Sequence, residues 1–311
     1  MARDAATGFA GSHAPVAEGF DLMAGTSAGA LCVAGLVTGR SPAELSRLFD
    51  EHGPRIFPSG GPRRFLRWIF TTKYSVGPLH DAVDATLDGR NPRLGELANH
   101  VAFPALDESA GRPVVFTTAN PAHLEISLRD AVLASAAAPT YFPAHRIEAL
   151  GRRYVDGGLF ANAPDLAALT IARGLWPHLD IADIHLLSIG TTSISSESPY
   201  GANHPGAKGL FSWAARPPAR LLKLAMRGQV DHAMALLPEL QLADFIRLDA
   251  VLDASADLTL ELDNASPAAI RALTAAGAVA VAGLPATQRA RLTMMLGRRR
   301  ASSSGQATAP A

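Results

Sequence analysis

The sequence is short of cysteine, of net charge and of long apolar runs, and each shortage excludes something. Cys32 is the only cysteine in 311 residues, which rules out an internal disulfide framework and fits a reducing compartment. Its neighbours Leu31 and Val33 are apolar, so the thiol reads as a packed core residue before a reactive one. Lysine plus arginine number 28 and aspartate plus glutamate 28, a formal net charge of zero, which argues against a nucleic-acid polymer as partner. The apolar runs at 28–37 and 275–286 fall short of the roughly 18 residues of a spanning helix. Residues 1–19 have neither the basic start nor the apolar stretch of a secretory signal. The expected location is therefore cytoplasmic, at most peripheral at a membrane.

Apolar surface is plentiful: 48% of the residues are hydrophobic, enough to core one large domain or two modest ones. Leu22-Met23-Ala24 reads as a short buried strand, followed by a glycine turn and a mostly apolar helix from Ala30 to Val37. Ser41-Pro42-Ala43-Glu44 carries a helix start: a serine cap, proline at the first helical position and glutamate three residues after the cap. Segment 54–76 reads as irregular and basic, and Val76–Leu87 as a helix stopped at Asp88-Gly89. Strands are expected near 100–106, at Pro113–Thr118, at Arg153–Val155 and, buried, at Ile184–Ile189; helices at Leu128–Ala138 and Pro164–Leu175. Strands alternating with helices argue for an α/β sheet that is largely parallel. Beyond about 195 the pattern changes to a Ser/Gly/Pro-rich loop, a long helix at Pro217–Leu237, a strand at Phe245–Leu248 and two helices near 267–280 and 285–297. The last residues, 298–311, have the composition of a disordered tail that opens with the charge run Arg298–Arg300.

Chemistry concentrates at Gly25-Thr26-Ser27-Ala28-Gly29. A Gly-x-Ser-x-Gly turn between a strand and a helix is a nucleophile elbow, in which side chains two residues to either side of the serine are expected to collide. The following helix aims its free N–H groups at the serine, and the N–H of Ala28 is the candidate oxyanion donor. The same pentapeptide is also compatible with a plain glycine-rich turn and a spectator serine. A serine nucleophile needs a proton acceptor. Of the late histidines, His178, His185, His204 and His232, none lies in 233–311, so a triad histidine is hard to place and a histidine-triad esterase ranks third among the readings. His185, inside an apolar strand, reads as a satisfied core residue. Asp156, in "RRYVDGGLFANAP", closes a strand, and Gly157-Gly158 remove bulk where another loop can approach. An Asp-Gly pair is equally an ordinary turn, and a carboxylate serves as base only when held against the hydroxyl in a water-poor site.

Four segments in order resemble the patatin-like phospholipases: "FDLMAGTSAGA", "AVLASAAAPTYFPA" (131–144), "YVDGGLFANAP" (154–164) and "IHLLSIGTT" (184–192). The resemblance covers roughly residues 20–195. It implies a three-layer α/β/α fold with a mostly parallel central sheet and a helical C-terminal extension. It also implies a Ser-Asp dyad: Ser27 attacks an acyl ester, Asp156 activates it, and water cleaves the acyl-enzyme, with no metal and no cofactor. The implied substrate is an acyl lipid. The expected organisation is an unassigned segment 1–19, a catalytic domain 20–195, a mainly helical extension 196–297 and the tail.

The family opens with a strand and a glycine-rich turn of the Gly-Gly-Gly-x-Arg-Gly kind, whose N–H groups form most of the oxyanion hole. Only 26 residues precede Ser27, and Gly8, Gly11 and Gly19 are isolated, so that unit is not found among them. Loss of one oxyanion donor lowers turnover by about 10²–10³. Two explanations stand: a fragment of an active enzyme, or an inert member acting as a lipid-binding or interaction module. Segment "PRRFLRWIFTTKY" (62–74) mixes arginines with aromatics, either as core-capping aromatics beneath a surface helix or as a lid making transient contact with a membrane surface. The longer stretch 56–83 is similar to family members switched on by nucleotide second messengers, although no residues in it establish a nucleotide site. Asn162 and Pro164 are expected to shape the loop after Asp156, and Tyr141 and Phe142 to lie in the core or line an acyl pocket.

Overall fold

The computed structural model describes residues 16–58, 71–194, 220–252 and 263–297. The basic part of the expected lid (62–70), the loop at 195–215, His204 and the tail at 298–311 lie outside the described residues.

Local chemistry starts the first elements. Strand β1 (Leu22–Ala24) leads into helix α1 (Ala28–Val37). Helix α2 (Pro42–Ile56) begins with a reciprocal cap: the Ser41 hydroxyl accepts from the Glu44 N–H at 3.3 Å and the Glu44 carboxylate accepts from the Ser41 N–H at 2.8 Å. This helix runs through Pro54 to Ile56, so the irregular segment begins later than position 54. Helix α3 (Gly77–Leu87) stops where Asp88 takes a left-handed φ of 56° and Gly89 one of 70°.

Strand β2 (His100–Asp107) is the spine of the main sheet. Strand β3 (Arg112–Thr117) lies antiparallel along residues 102–107 of β2. Strand β1 pairs in parallel over His100–Ala102, and strand β5 (Arg152–Asp156) pairs antiparallel over Ala105–Asp107. Both overlap the β3 pairing, and a strand has only two edges, so β1 and β5 share the edge opposite β3. Running in opposite directions, they abut end to end: Ala24 is opposite Ala102 and Asp156 opposite Ala105. Pro104 stands at the junction, where no ladder bond is required of its missing N–H. Strand β4 (His145–Ile147) completes the sheet beside β5. The two hairpins, closed by Gly111 at φ 64° and Gly151 at φ 62°, make the sheet mixed, while parallel pairing holds at β1–β2.

Helix α4 (Leu128–Ala136), capped by Ser127, packs on β2 and β5 and against α1 and α3. The core gathers Val83, Val101, Phe103, Phe116, Leu128 and Leu133, together with Tyr141 and Phe142. After β5 come the one-turn helix α5 (Gly158–Ala161) and helix α6 (Asp165–Leu175), which packs on β1. Helix α7 (Arg220–Leu236) packs on α5. Strand β6 (His185–Ile189) pairs in parallel with β8 (Asp244–Leu248), and β7 (Ser193–Ile194) with β9 (Val251–Leu252), so hydrogen-bonded strands join the two sides of residue 195. Helices α8 (Pro267–Ala282) and α9 (Ala286–Gly297) cover a smaller cluster around Ile246, Leu248 and Leu292.

Burial differs from expectation at two strands. All three residues of β1 are half-buried, and of β6 only Ser188 is buried, with Ile189 54% exposed. A run of apolar residues sets what a strand can bury; how many neighbours it has decides what it does bury. Cys32 is half-buried on α1, and desolvation pushes its thiol up to about 11, which keeps it protonated and unreactive. Among the described residues no single helix is long and apolar enough to cross a membrane.

Candidate active site

Ser27 immediately precedes α1 and holds φ 55° and ψ −120°, a conformation that is strained for a residue with a Cβ. Four hydrogen bonds fix it there. Gly25 N–H donates to the Ala102 carbonyl at 3.0 Å, tying the turn to β2. The Ser27 carbonyl accepts from Ala30 N–H at 2.9 Å as the helix begins. Ser27 N–H donates to the buried Ser135 hydroxyl at 3.3 Å, and the Thr26 hydroxyl donates to the Ala161 carbonyl at 2.6 Å. Ala28, first in α1, has no carbonyl one turn back to receive its N–H, so this donor is left without an intrahelical partner.

The glycines of the turn are not equivalent. A Cβ on Gly25 would lie 2.2 Å from the Gly29 carbonyl oxygen, so no side chain fits. A Cβ on Gly29 would meet nothing within 4 Å. The expected collision on both sides of the serine thus holds on one side only, because the backbone after Ser27 turns into the helix and points position 29 outward.

Asp156 ends β5 with 4% exposure, its N–H donating to the Ala137 carbonyl at 2.9 Å. One carboxylate oxygen accepts from Gly158 N–H at 2.7 Å, and the Ser27 side chain lies beside the carboxylate. Burial raises this carboxyl to about 6, partly offset by those two neutral donors. Gly157 is required for the approach, since a Cβ there would stand 2.2 Å from the Pro104 carbonyl oxygen. Gly158 is tight as well, with Met226 and Asn162 atoms 3.0 and 3.2 Å from a Cβ. Ser27 and Asp156, far apart in sequence, are together because their strands meet head to head on β2.

Three residues of the site carry no sequence signal of their own. Ser135 and the Ala137 carbonyl, at the C-terminal end of α4, each hold one half of the pair. Small side chains in "ASAAAP" let that helix end nestle between both turns. Gln229 of α7 brackets the loop after Asp156, accepting from Ala163 N–H at 2.9 Å and donating to its carbonyl at 3.3 Å. Asn162 and Pro164 flank this clamped residue, and Tyr141 and Phe142 pack with Tyr74 and Phe57 in an aromatic cluster.

Among the described residues, none of the late histidines bonds to Ser27 or Asp156. His178 and His232 are exposed. His185 is satisfied, as expected, but not in the core: its Nδ1 is 2.8 Å from the Asp244 carboxylate on the partly exposed β6–β8 pair. Among the described residues no group of three or more His, Cys, Asp or Glu side chains is placed to hold a metal ion.

The family model for patatin-like phospholipase matches residues 6–169, a stretch that includes both Ser27 and Asp156. A cGAMP-activated phospholipase of Vibrio cholerae serotype O1 is 33% identical over 285 residues, covering 84% of this chain and 79% of that protein. A cGAMP-activated phospholipase of Escherichia coli is 31% identical over 278 residues, covering 84% of this chain and 77% of that protein. Patatin-like protein 3 of Arabidopsis thaliana is 29% identical over 244 residues, covering 65% of this chain and 56% of the plant protein.

Proposed function

We propose a function from one premise: this chain belongs to the patatin-like phospholipase family and takes its α/β/α fold. It acts as a lipid acyl hydrolase in which Ser27 is the nucleophile and Asp156 the base. The observation that carries this reading is the placement of the Ser27 side chain beside a buried carboxyl whose pKa is raised to about 6. Above that pH the carboxylate is ionised, yet it is a far stronger base than a solvated aspartate and accepts the serine proton as the oxygen attacks the ester carbonyl. The proton then passes to the departing alcohol and leaves an acyl-Ser27 ester. A water, deprotonated by the same carboxylate, releases the fatty acid and restores Ser27. The Ala28 N–H at the start of α1 stabilises the oxyanion of each tetrahedral intermediate. An ester in a bilayer has to reach Ser27 from the lipid surface, so transient membrane contact belongs to the proposal.

The test is fluorophosphonate labelling of the purified chain, with phospholipid hydrolysis measured in parallel. Labelling and hydrolysis that both vanish in Ser27→Ala are expected. A folded chain that neither labels nor hydrolyses supports the inert lipid-binding reading instead, and activity that survives Ser27→Ala sinks the dyad. Hydrolysis lost in a His185→Gln variant would revive the histidine triad.

The names of two relatives favour a second statement, that a cyclic dinucleotide such as cGAMP governs the activity. Hydrolysis measured with and without added cGAMP decides it: a rate that does not change with the nucleotide rules this regulation out.

A further inference from the structure

We propose that the Thr26 hydroxyl is a positioning brace that sets the distance between Ser27 and Asp156. The proposal rests on the dyad reading above and adds a residue that touches neither substrate nor the reacting oxygen. β1 and β5 meet end to end and not side by side, so no ladder of hydrogen bonds runs between them. Each strand end is fixed to β2 separately. Direct links between the two turns must come from side chains. One is the approach of the Ser27 side chain to the Asp156 carboxylate. The other is Thr26 Oγ1 donating to the Ala161 carbonyl at 2.6 Å, across 135 residues of sequence.

These two links close a ring. Thr26 is one peptide from Ser27, and Ala161 ends the single turn of α5 that begins at Gly158. Gly158 N–H in turn bonds the Asp156 carboxylate at 2.7 Å. The Ala161 carbonyl sits at the end of a one-turn helix and has no intrahelical donor, so the threonine supplies its partner. Thr26 is only 8% exposed, and water cannot readily replace it. On the other side of the brace, Ser27 is held at a strained φ of 55° and relaxes when a restraint is removed. Thr26 takes no left-handed φ, so the backbone of the turn does not itself demand threonine here. A buried hydroxyl bonded to the opposite loop is therefore a positioning device.

The experiment compares the parent chain with Thr26→Val, Thr26→Ser and Ser27→Ala, using the fluorophosphonate labelling rate, kcat and KM on phospholipid vesicles, and thermal unfolding. Valine keeps the shape and removes the donor. It is expected to slow labelling and kcat on the order of ten- to a hundredfold with KM little changed, since misplacing a reacting group by an ångström costs about this much. Serine keeps the donor, and Thr26→Ser is expected to recover most of that loss. Thr26→Ala takes the place of the valine variant if the latter does not fold. Parent-like labelling by the valine or alanine variant overturns the brace, and so does a serine variant as slow as valine, which would assign the effect to methyl packing. Labelling that survives Ser27→Ala, or a parent that never labels, overturns the dyad reading and the brace with it. Labelling lost in Ser27→Ala but indifferent to Thr26→Val overturns the brace alone.

Discussion

Asp156 and Asp244, two of the buried aspartates that lie at strand ends among the described residues, are treated in opposite ways. Asp244, 8% exposed at the start of β8, is held by His185 at 2.8 Å on one oxygen and by the Arg291 guanidinium at 2.8 Å on the other. Asp156, 4% exposed at the end of β5, accepts from a backbone N–H and has the Ser27 side chain beside it. A carboxylate that braces a structure is given a cation, which satisfies its charge. Burial without a cation raises the Asp156 carboxyl to about 6, the proton affinity that base chemistry needs. The sheet arranges this difference, since β6 and β8 lie side by side and present opposed side chains, whereas β1 and β5 meet only at their tips.

The largest break in this comparison comes from the same substitution at both positions. Asp156→Asn is expected to lower fluorophosphonate labelling and ester hydrolysis by about 10²–10⁴. Asp244→Asn is expected to leave labelling within a few-fold of the parent and to lower stability by about 1–2 kcal/mol, a modest figure because Arg291 is 55% exposed. Equal losses of activity in the two variants would erase the distinction.

The next test separates the two halves of the elbow. Gly25→Ala drives a Cβ into the backbone of α1 and is expected to destabilise the fold by about 3 kcal/mol or more in denaturant unfolding. Gly29→Ala fills open space in the first turn of a helix and is expected to stabilise by about 0.5–1 kcal/mol. A destabilised Gly29→Ala variant would mean that the turn is crowded on both sides after all.

The smallest expected effect is the most specific, because it depends on pH. Asp156 rises from 3.8 to about 6 on folding, so its contribution to stability is full below about pH 4 and is lost as pH rises through about 6. At pH 8 the parent carries a buried charge that destabilises it on the order of 1–3 kcal/mol, and Asp156→Asn removes it. The asparagine variant is therefore expected to melt above the parent at pH 8, with the gap closing towards pH 4. The labelling rate of the parent should climb through about pH 6 and then level off, following the ionised base. A melting gap that widens on acidification would place the raised carboxyl elsewhere.

Much of this is legible in order along the chain, and most of what is not depends on distant partners. The cap at Ser41, the stop at Asp88-Gly89 and the elbow around Ser27 are decided by residues a few positions apart, so spacing reveals them. The hairpin at Gly151 has a local signal too, a glycine between two short alternating runs. Apolar content alone makes β1 and β6 read as buried strands, whereas burial depends on neighbouring strands. His185 looked like a core residue because its partner Asp244 lies 59 residues away. Ser135, Gln229 and the bond made by Thr26 had no signal at all, since a single serine, glutamine or threonine is ordinary until something distant is placed against it.

The sequence by itself determined the parts. It supplied an elbow that admits no side chain at Gly25, an aspartate followed by two glycines, an alanine-rich helix end and the capped helices around them. These follow from sterics and hydrogen bonds within a few residues. Only the tertiary structure decided that Ser27 and Asp156 are brought together and that the carboxyl is left without a cation. Those properties depend on β1 and β5 meeting head to head on one edge of β2, a relation among residues about 130 positions apart that local spacing does not encode.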